Sequence, residues 1–208
     1  TTDWSFTTAD VTAPTVTNVT STASNAAYGI GANIDITVTF SENVTVTGTP
    51  QLTLETGATD AIVDYASGTG TSTLTFTYTV ASGENSADLD YVNTTALALN
   101  AGTITDAAAN NATLTLAAPA ASGSLGFNKA LVIDGAVPTV TNVTSTATNG
   151  TFGVSSNIDV TVTFSENVTV TGTPQLTLET GATDAIVDYA SGTGTSTLTF
   201  TYTVASGE

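Results

Sequence analysis

Ile34, Ile36, Val38 and Phe40 alternate with Asp35, Thr37 and Thr39. A period of two marks a strand with one face buried and the other in water. Thr15–Thr20 predicts the strand before it, and a turn-rich stretch with Asn25 and Gly29 separates the two. Ser41-Glu42-Asn43 reads as a turn, after which Val44 and Val46 resume the alternation until Gly48-Thr49-Pro50 stops it. Leu52 and Leu54 mark the next strand, which Gly57–Asp60 ends. Ala61, Val63 and Tyr65 then alternate with Ile62 and Asp64. The tight turn Gly68-Thr69-Gly70 leads into Thr71–Val80, where Leu74, Phe76, Tyr78 and Val80 point one way and threonines the other. This is the clearest hairpin in the chain. Leu89–Val92, Leu97–Leu99, Thr103–Thr105, Thr113–Leu116 and Lys129–Ile133 predict shorter strands, and Ala117–Asn128 a long loop of small residues. No stretch sustains a 3.6-residue period, so no long helix is expected. Short strands with turns every ~8–12 residues predict an all-β antiparallel sandwich, with Ile36, Val38, Phe40, Leu74, Phe76 and Tyr78 in its core.

Residues 37–84 return letter for letter as 161–208, an offset of 124 (161 less 37). Repetition at the length of a small domain predicts a tandem array of scaffold units. The boundaries follow from the offset. Residues 10–134 make one complete repeat, and 135–208 an incomplete second one. Residues 1–9, with Trp4 and Phe6 on one face, occupy a last-strand position and read as the end of a preceding, different domain. The second repeat lacks everything that follows Glu84 in the first. Its sandwich is expected to be completed by residues beyond Glu208, or by a strand from a neighbour, with Thr1–Ala9 a candidate donor.

Eighteen acidic residues face a single basic one, Lys129, giving a net charge of −17. Such a chain repels nucleic acid and anionic membranes. No apolar run approaches the ~18 residues of a membrane helix. Its carboxylates have almost no basic partners, so they are either spread in water or neutralised by cations, and hard oxygen ligands favour calcium. The chain has no cysteine and no histidine, which excludes disulfides, thiolate metal sites and the commonest general base. The remaining catalytic option is a carboxylate pair, but the acids repeat with the scaffold instead of converging once, so no enzyme is expected. A Cys-free, Lys-poor, Thr- and Asp-rich composition points to a secreted or cell-surface location.

Ala-Pro-Thr-Val (13–16), Val-Thr-Phe-Ser-Glu (38–42) and Thr-Ile-Thr-Asp-Ala-Ala-Ala-Asn (103–110) resemble the bacterial immunoglobulin-like repeats of large secreted adhesins and surface fibres. The resemblance covers nearly the whole chain and implies tandem immunoglobulin-like antiparallel β-sandwiches, exported to the cell surface. It also implies calcium at the joints between domains. One departure stands out. The family's usual Asp-Ala-Ala-Gly-Asn has Ala109 in place of its glycine, where a positive φ would carry a steric cost.

Asp10 in the linker, Glu42 after the Phe40 strand and Asp106 before the closing strands group at one pole if the strands run as predicted. Three convergent carboxylates suit Ca²⁺; the alternative is solvated loop acids. Asp134 and Glu166 are the equivalent pair by the offset. Asp88 and Asp90 are expected to share one face of a strand, as an exposed polar face or a second cation site. Seven Asn-x-Thr sequons, at Asn18, Asn43, Asn93, Asn111, Asn142, Asn149 and Asn167, allow glycosylation in a chain where abundant Thr supplies many by chance. The resulting expectation is a structural spacer whose partners are neighbouring repeats, including strand exchange between copies. The other reading is a binding module whose pole loops hold a glycan or surface ligand, with Tyr28, Phe127 and Phe152 as the loop aromatics.

Overall fold

The computed structural model describes residues 10–207; the strand expected over residues 1–9 lies outside them. The chain divides into two compact units, one ending at Ala136 and the next beginning at Val137. Both are built of strands.

In the first unit β1 (Val16–Ser21), β2 (Ala26–Gly29), β3 (Asn33–Thr47), β4 (Gln51–Leu54), β5 (Ala61–Ser67) and β6 (Thr71–Thr79) precede the short β7 (Asn85–Ser86), β8 (Leu97–Ala98) and β9 (Thr103–Thr105). A four-residue helix, α1 (Leu125–Asn128), and β10 (Leu131–Asp134) complete it. Seven strands form an antiparallel sheet in the order β1-β3-β6-β5-β4-β8, with β9 added on β3. The order β2-β10-β7 makes a second sheet, in which β10 runs parallel to β2 and antiparallel to β7.

The alternation read from the sequence is the register observed. Ile36 faces Phe76 and Val38 faces Leu74 across β3 and β6, so the apolar set of both strands lies on one face. All six expected core residues are buried, with Ile36, Val38, Leu74 and Phe76 fully so. Tyr65 meets the Phe76 ring edge-on, with centroids 6.2 Å apart at 74°, a favoured aromatic geometry. The Gly68-Thr69-Gly70 turn requires its first glycine, because at φ +111° a Cβ would collide with the Thr73 carbonyl.

Several expectations are corrected. Ser41-Glu42-Asn43 is no turn. β3 runs through it, with a break in register on β6 between Thr39 and Val44. The five-residue advance on β3 against two on β6 is a bulge, which bends a strand without ending it. Past the bulge, Thr45–Thr47 leaves β6 and pairs with β9. The stretch around Asn25 and Gly29 contains β2, a strand because β10 lies beside it. Leu89–Val92 and Thr113–Leu116 form only isolated bridges, Leu54 to Tyr91 and Thr15 to Thr113. The long loop contains α1, capped by the Ser124 hydroxyl accepting from the Phe127 N–H.

The second unit holds β11 (Val140–Ser145), β12 (Asn157–Val168), β13 (Gln175–Leu178), β14 (Ala185–Ser191) and β15 (Thr195–Thr203). They form one antiparallel sheet in the order β11-β12-β15-β14-β13. This is the β1-β3-β6-β5-β4 path again, in the same register, with Val160 facing Phe200 and Val162 facing Leu198. Its core is small: Val162, Val187, Leu198 and Phe200.

Candidate metal centre

Each acid of the candidate site is placed by a different element. Asp10 precedes β1 and is exposed; its Oδ1 accepts the Thr12 N–H at 2.9 Å, an Asx turn that points the linker toward Pro14. Glu42 sits in the bulge of β3, half-buried. The bulge is fixed from the β1 side, where Ser41 N–H donates to the Thr15 carbonyl and Thr15 N–H to the Ser41 hydroxyl. Asp106 directly follows β9 and is buried, at 4% exposure. Pairing of Thr45 with Thr105 carries it to the bulge.

The three side chains converge. One oxygen from each of Asp10, Glu42 and Asp106 lies within 4.8 Å of the others.

Asn110, whose role the sequence reading missed, braces the cluster. Its Nδ2 donates to Asp106 Oδ2 at 2.7 Å and to the main-chain carbonyls of Asp10 and Thr12 at 3.1 and 3.4 Å. Its own N–H donates to Asp106 Oδ1 at 2.8 Å. The signal was the Asp106-x-x-x-Asn110 spacing, which closes a tight loop on its own first residue. That loop bends through Ala109 at φ +66°. The loop thus takes a left-handed conformation at a residue that is not glycine.

Electrostatics separates the acids. Burial opposes the charge on Asp106, but donation from the Asn110 side chain, its backbone N–H and the Ala108 N–H outweighs this and holds the carboxyl below its ordinary 3.8. Glu42 is pushed above its ordinary 4.5, first by burial and then by the negative charges of Asp10 and Asp106. A site of oxygen donors whose anionic charge is mutually unfavourable fits a hard divalent cation, which would take these three carboxylates among its six to eight oxygens.

Of the equivalent pair, Asp134 ends β10 in the first unit and repeats the Asx turn, accepting from the Ala136 N–H at 3.3 Å. Glu166 lies half-buried in the corresponding bulge of β12 in the second unit, where the register on β15 breaks between Thr163 and Val168. The offset places the counterpart of Asp106 beyond Glu208.

Asp88 and Asp90 do not share a face. Asp88 is exposed, whereas Asp90 is buried and satisfied by the N–H groups of Tyr91 and Ala120, each at 2.9 Å. Tyr28 sits in β2 with its hydroxyl donating to the Ser24 carbonyl, while Phe127 and Phe152 are exposed.

Fold and site together define an all-β, strongly acidic chain with one cluster of three carboxylates among its described residues. Comparison with family models, with curated proteins and with solved structures found no match to it. No helix among the described residues is long and apolar enough to cross a membrane.

Proposed function

We propose that this chain is a structural spacer from an extracellular adhesin or surface filament built of tandem immunoglobulin-like sandwiches. In this reading calcium held by Asp10, Glu42 and Asp106 stiffens the approach to each repeat. The observation that carries the reading is the position of the triad. It joins a linker acid, a bulge acid and a loop acid within 4.8 Å, so a bound cation would tie the entering chain to the body of its repeat. The role is one of scaffold and spacing, without catalysis.

Support for the array comes from one strand path built twice from one repeated sequence. The net charge of −17 supports a cation-rich setting, since millimolar calcium outside cells can fill even weak sites.

The test is a calorimetric melt of the chain in EDTA and in calcium at matched ionic strength, repeated with Asp10→Ala and Glu42→Ala. Calcium should raise the Tm of the first unit in the native chain, by the equivalent of about 2.7 kcal/mol at a hundred times Kd. Both variants should lose most of that rise. A calcium response that survives both substitutions removes the triad from the site.

A further inference from the structure

The sequence common to the two units lies in different surroundings in each, and the contrast identifies what the second unit is shaped to receive. Leu52 and Leu54 are fully buried in β4, whereas Leu176 and Leu178, their counterparts in β13, are only partly buried. Val19 of β1 is fully buried, but Val143, in the identical Val-Thr-Asn-Val-Thr-Ser of β11, is 53% exposed. Thr45–Thr47 belongs to a strand, while the same three residues at 169–171 do not.

In the first unit every one of these differences traces to the segment 85–134. Beside β4, Leu97 pairs with Leu52 and Tyr91 bridges to Leu54. Thr53 N–H donates to the Ala96 carbonyl at 3.1 Å, Glu55 N–H to the Asp90 carbonyl at 2.9 Å, and Val92 N–H to the Thr53 carbonyl at 3.2 Å. Ile104 of β9 pairs with Val46 and makes 45–47 a strand. Over β1, the Gly123 carbonyl accepts the Val19 N–H at 2.9 Å, and Asn128 Nδ2 donates to the Val19 carbonyl at 2.8 Å. Leu89, Tyr91, Leu116 and Leu125 complete the apolar cover. In the second unit β13 is the last strand of its sheet, with no strand on its outer side among the described residues. It therefore presents a row of backbone donors and acceptors next to an uncovered apolar face, the template for strand addition.

We propose that the open face and outer edge of the second unit are an acceptor for one polypeptide segment of the residue 85–134 type. That segment adds a strand against β13 through the Tyr91 and Leu97 positions and a second against 169–171 through the Ile104 position. Its helical turn covers Val143. The proposal does not rest on the metal reading, since it uses none of the three acids in the acceptor.

The probe is a synthetic peptide of residues 85–134 added to the full 208-residue chain. Calorimetry should show one saturable site per chain. Hydrogen exchange should slow at 169–171 and 175–179 and stay unchanged at 51–55, whose partners are already in place. Leu176→Asp in the chain, or Leu97→Asp in the peptide, should weaken binding about tenfold or more, the effect of losing ~1.4 kcal/mol. A second arm joins a copy of 85–134 directly after Glu208. The second unit should then melt with the first, instead of below it. The proposal is overturned if the joined segment leaves 175–179 unprotected, if the peptide displaces 85–134 from the first unit instead, or if the chain alone pairs with itself through β13 and Val143.

Discussion

Ala109 is one of the residues where the chain works against its own chemistry. Its φ of +66° is a left-handed conformation that a Cβ disfavours by ~1–2 kcal/mol. The loop holds it there because Asn110 donates twice to the Asp106 carboxylate. Ala109→Gly should therefore stabilise the first unit by about 0.5–1 kcal/mol in chemical denaturation, after the greater freedom of glycine in the unfolded chain is offset. The two shifted acids predict opposite pH behaviour. Asp106 has its pKa lowered in the fold, so its contribution is present above its ordinary 3.8 and is lost as the pH falls through the lower folded value. Glu42 has a raised pKa, so its ionised form weakens the fold at neutral pH, and the fold gains as Glu42 takes up a proton. Glu42→Gln in EDTA should accordingly raise the Tm at pH 7, with the gain fading as the pH falls through the raised folded pKa. In calcium the same substitution should lower the Tm relative to the native chain. A loss in both solutions would show that Glu42 is not strained by its neighbours.

At the scale of elements, what the sequence discloses is local periodicity. β3 and β6 were legible because Ile34 to Phe40 and Leu74 to Tyr78 sort their own side chains by face. β2 and β7 were not, because they are strands only by virtue of β10, which follows them in the chain by about a hundred and about forty-five residues respectively. Residues 169–171 make the point directly, being identical to 45–47 and unlike them in structure. The proximity of Asp10, Glu42 and Asp106 was legible from the strand order. The device that places Glu42, a bulge instead of a turn, and the Asn110 brace were not, since both depend on pairing with β1, β9 and the linker. The same contrast gives an energetic prediction. Leu52→Ala removes a fully buried side chain and should cost about 2–5 kcal/mol. Leu176→Ala, at the equivalent but only partly buried position, should cost less, about 1–2 kcal/mol, because part of that side chain already meets water. Urea unfolding of each variant, followed unit by unit through hydrogen exchange, checks the pair. Equal costs would mean that the second unit is covered in solution.

For the whole molecule the governing quantity is charge. Lys129 is the only basic side chain in the sequence, and its Nζ is engaged by the Ala23 carbonyl at 2.8 Å. Eighteen carboxylates thus share one cation among the side chains, and self-repulsion should weaken the fold at low salt. Raising sodium chloride from about 0.01 to 0.1 M shortens the screening length from ~30 to ~10 Å and should raise both melting temperatures; a Tm independent of salt would mean the charges are too dispersed to matter. The cover supplied by 85–134 also has a consequence in time. A chain made from its amino end at ~5–20 residues per second needs about 3–10 s to deliver those last fifty residues. Throughout that interval the β1–β6 half waits with its apolar face open. Closure depends on distant partners such as Asn128 and Val19, 109 positions apart, so it is slow by topology as well. In the tandem array proposed above, a matching segment from the next repeat would fit as well as the proper one. Faithful assembly would then depend on each unit closing before its successor emerges, and the rate of synthesis would become part of what keeps the repeats in order.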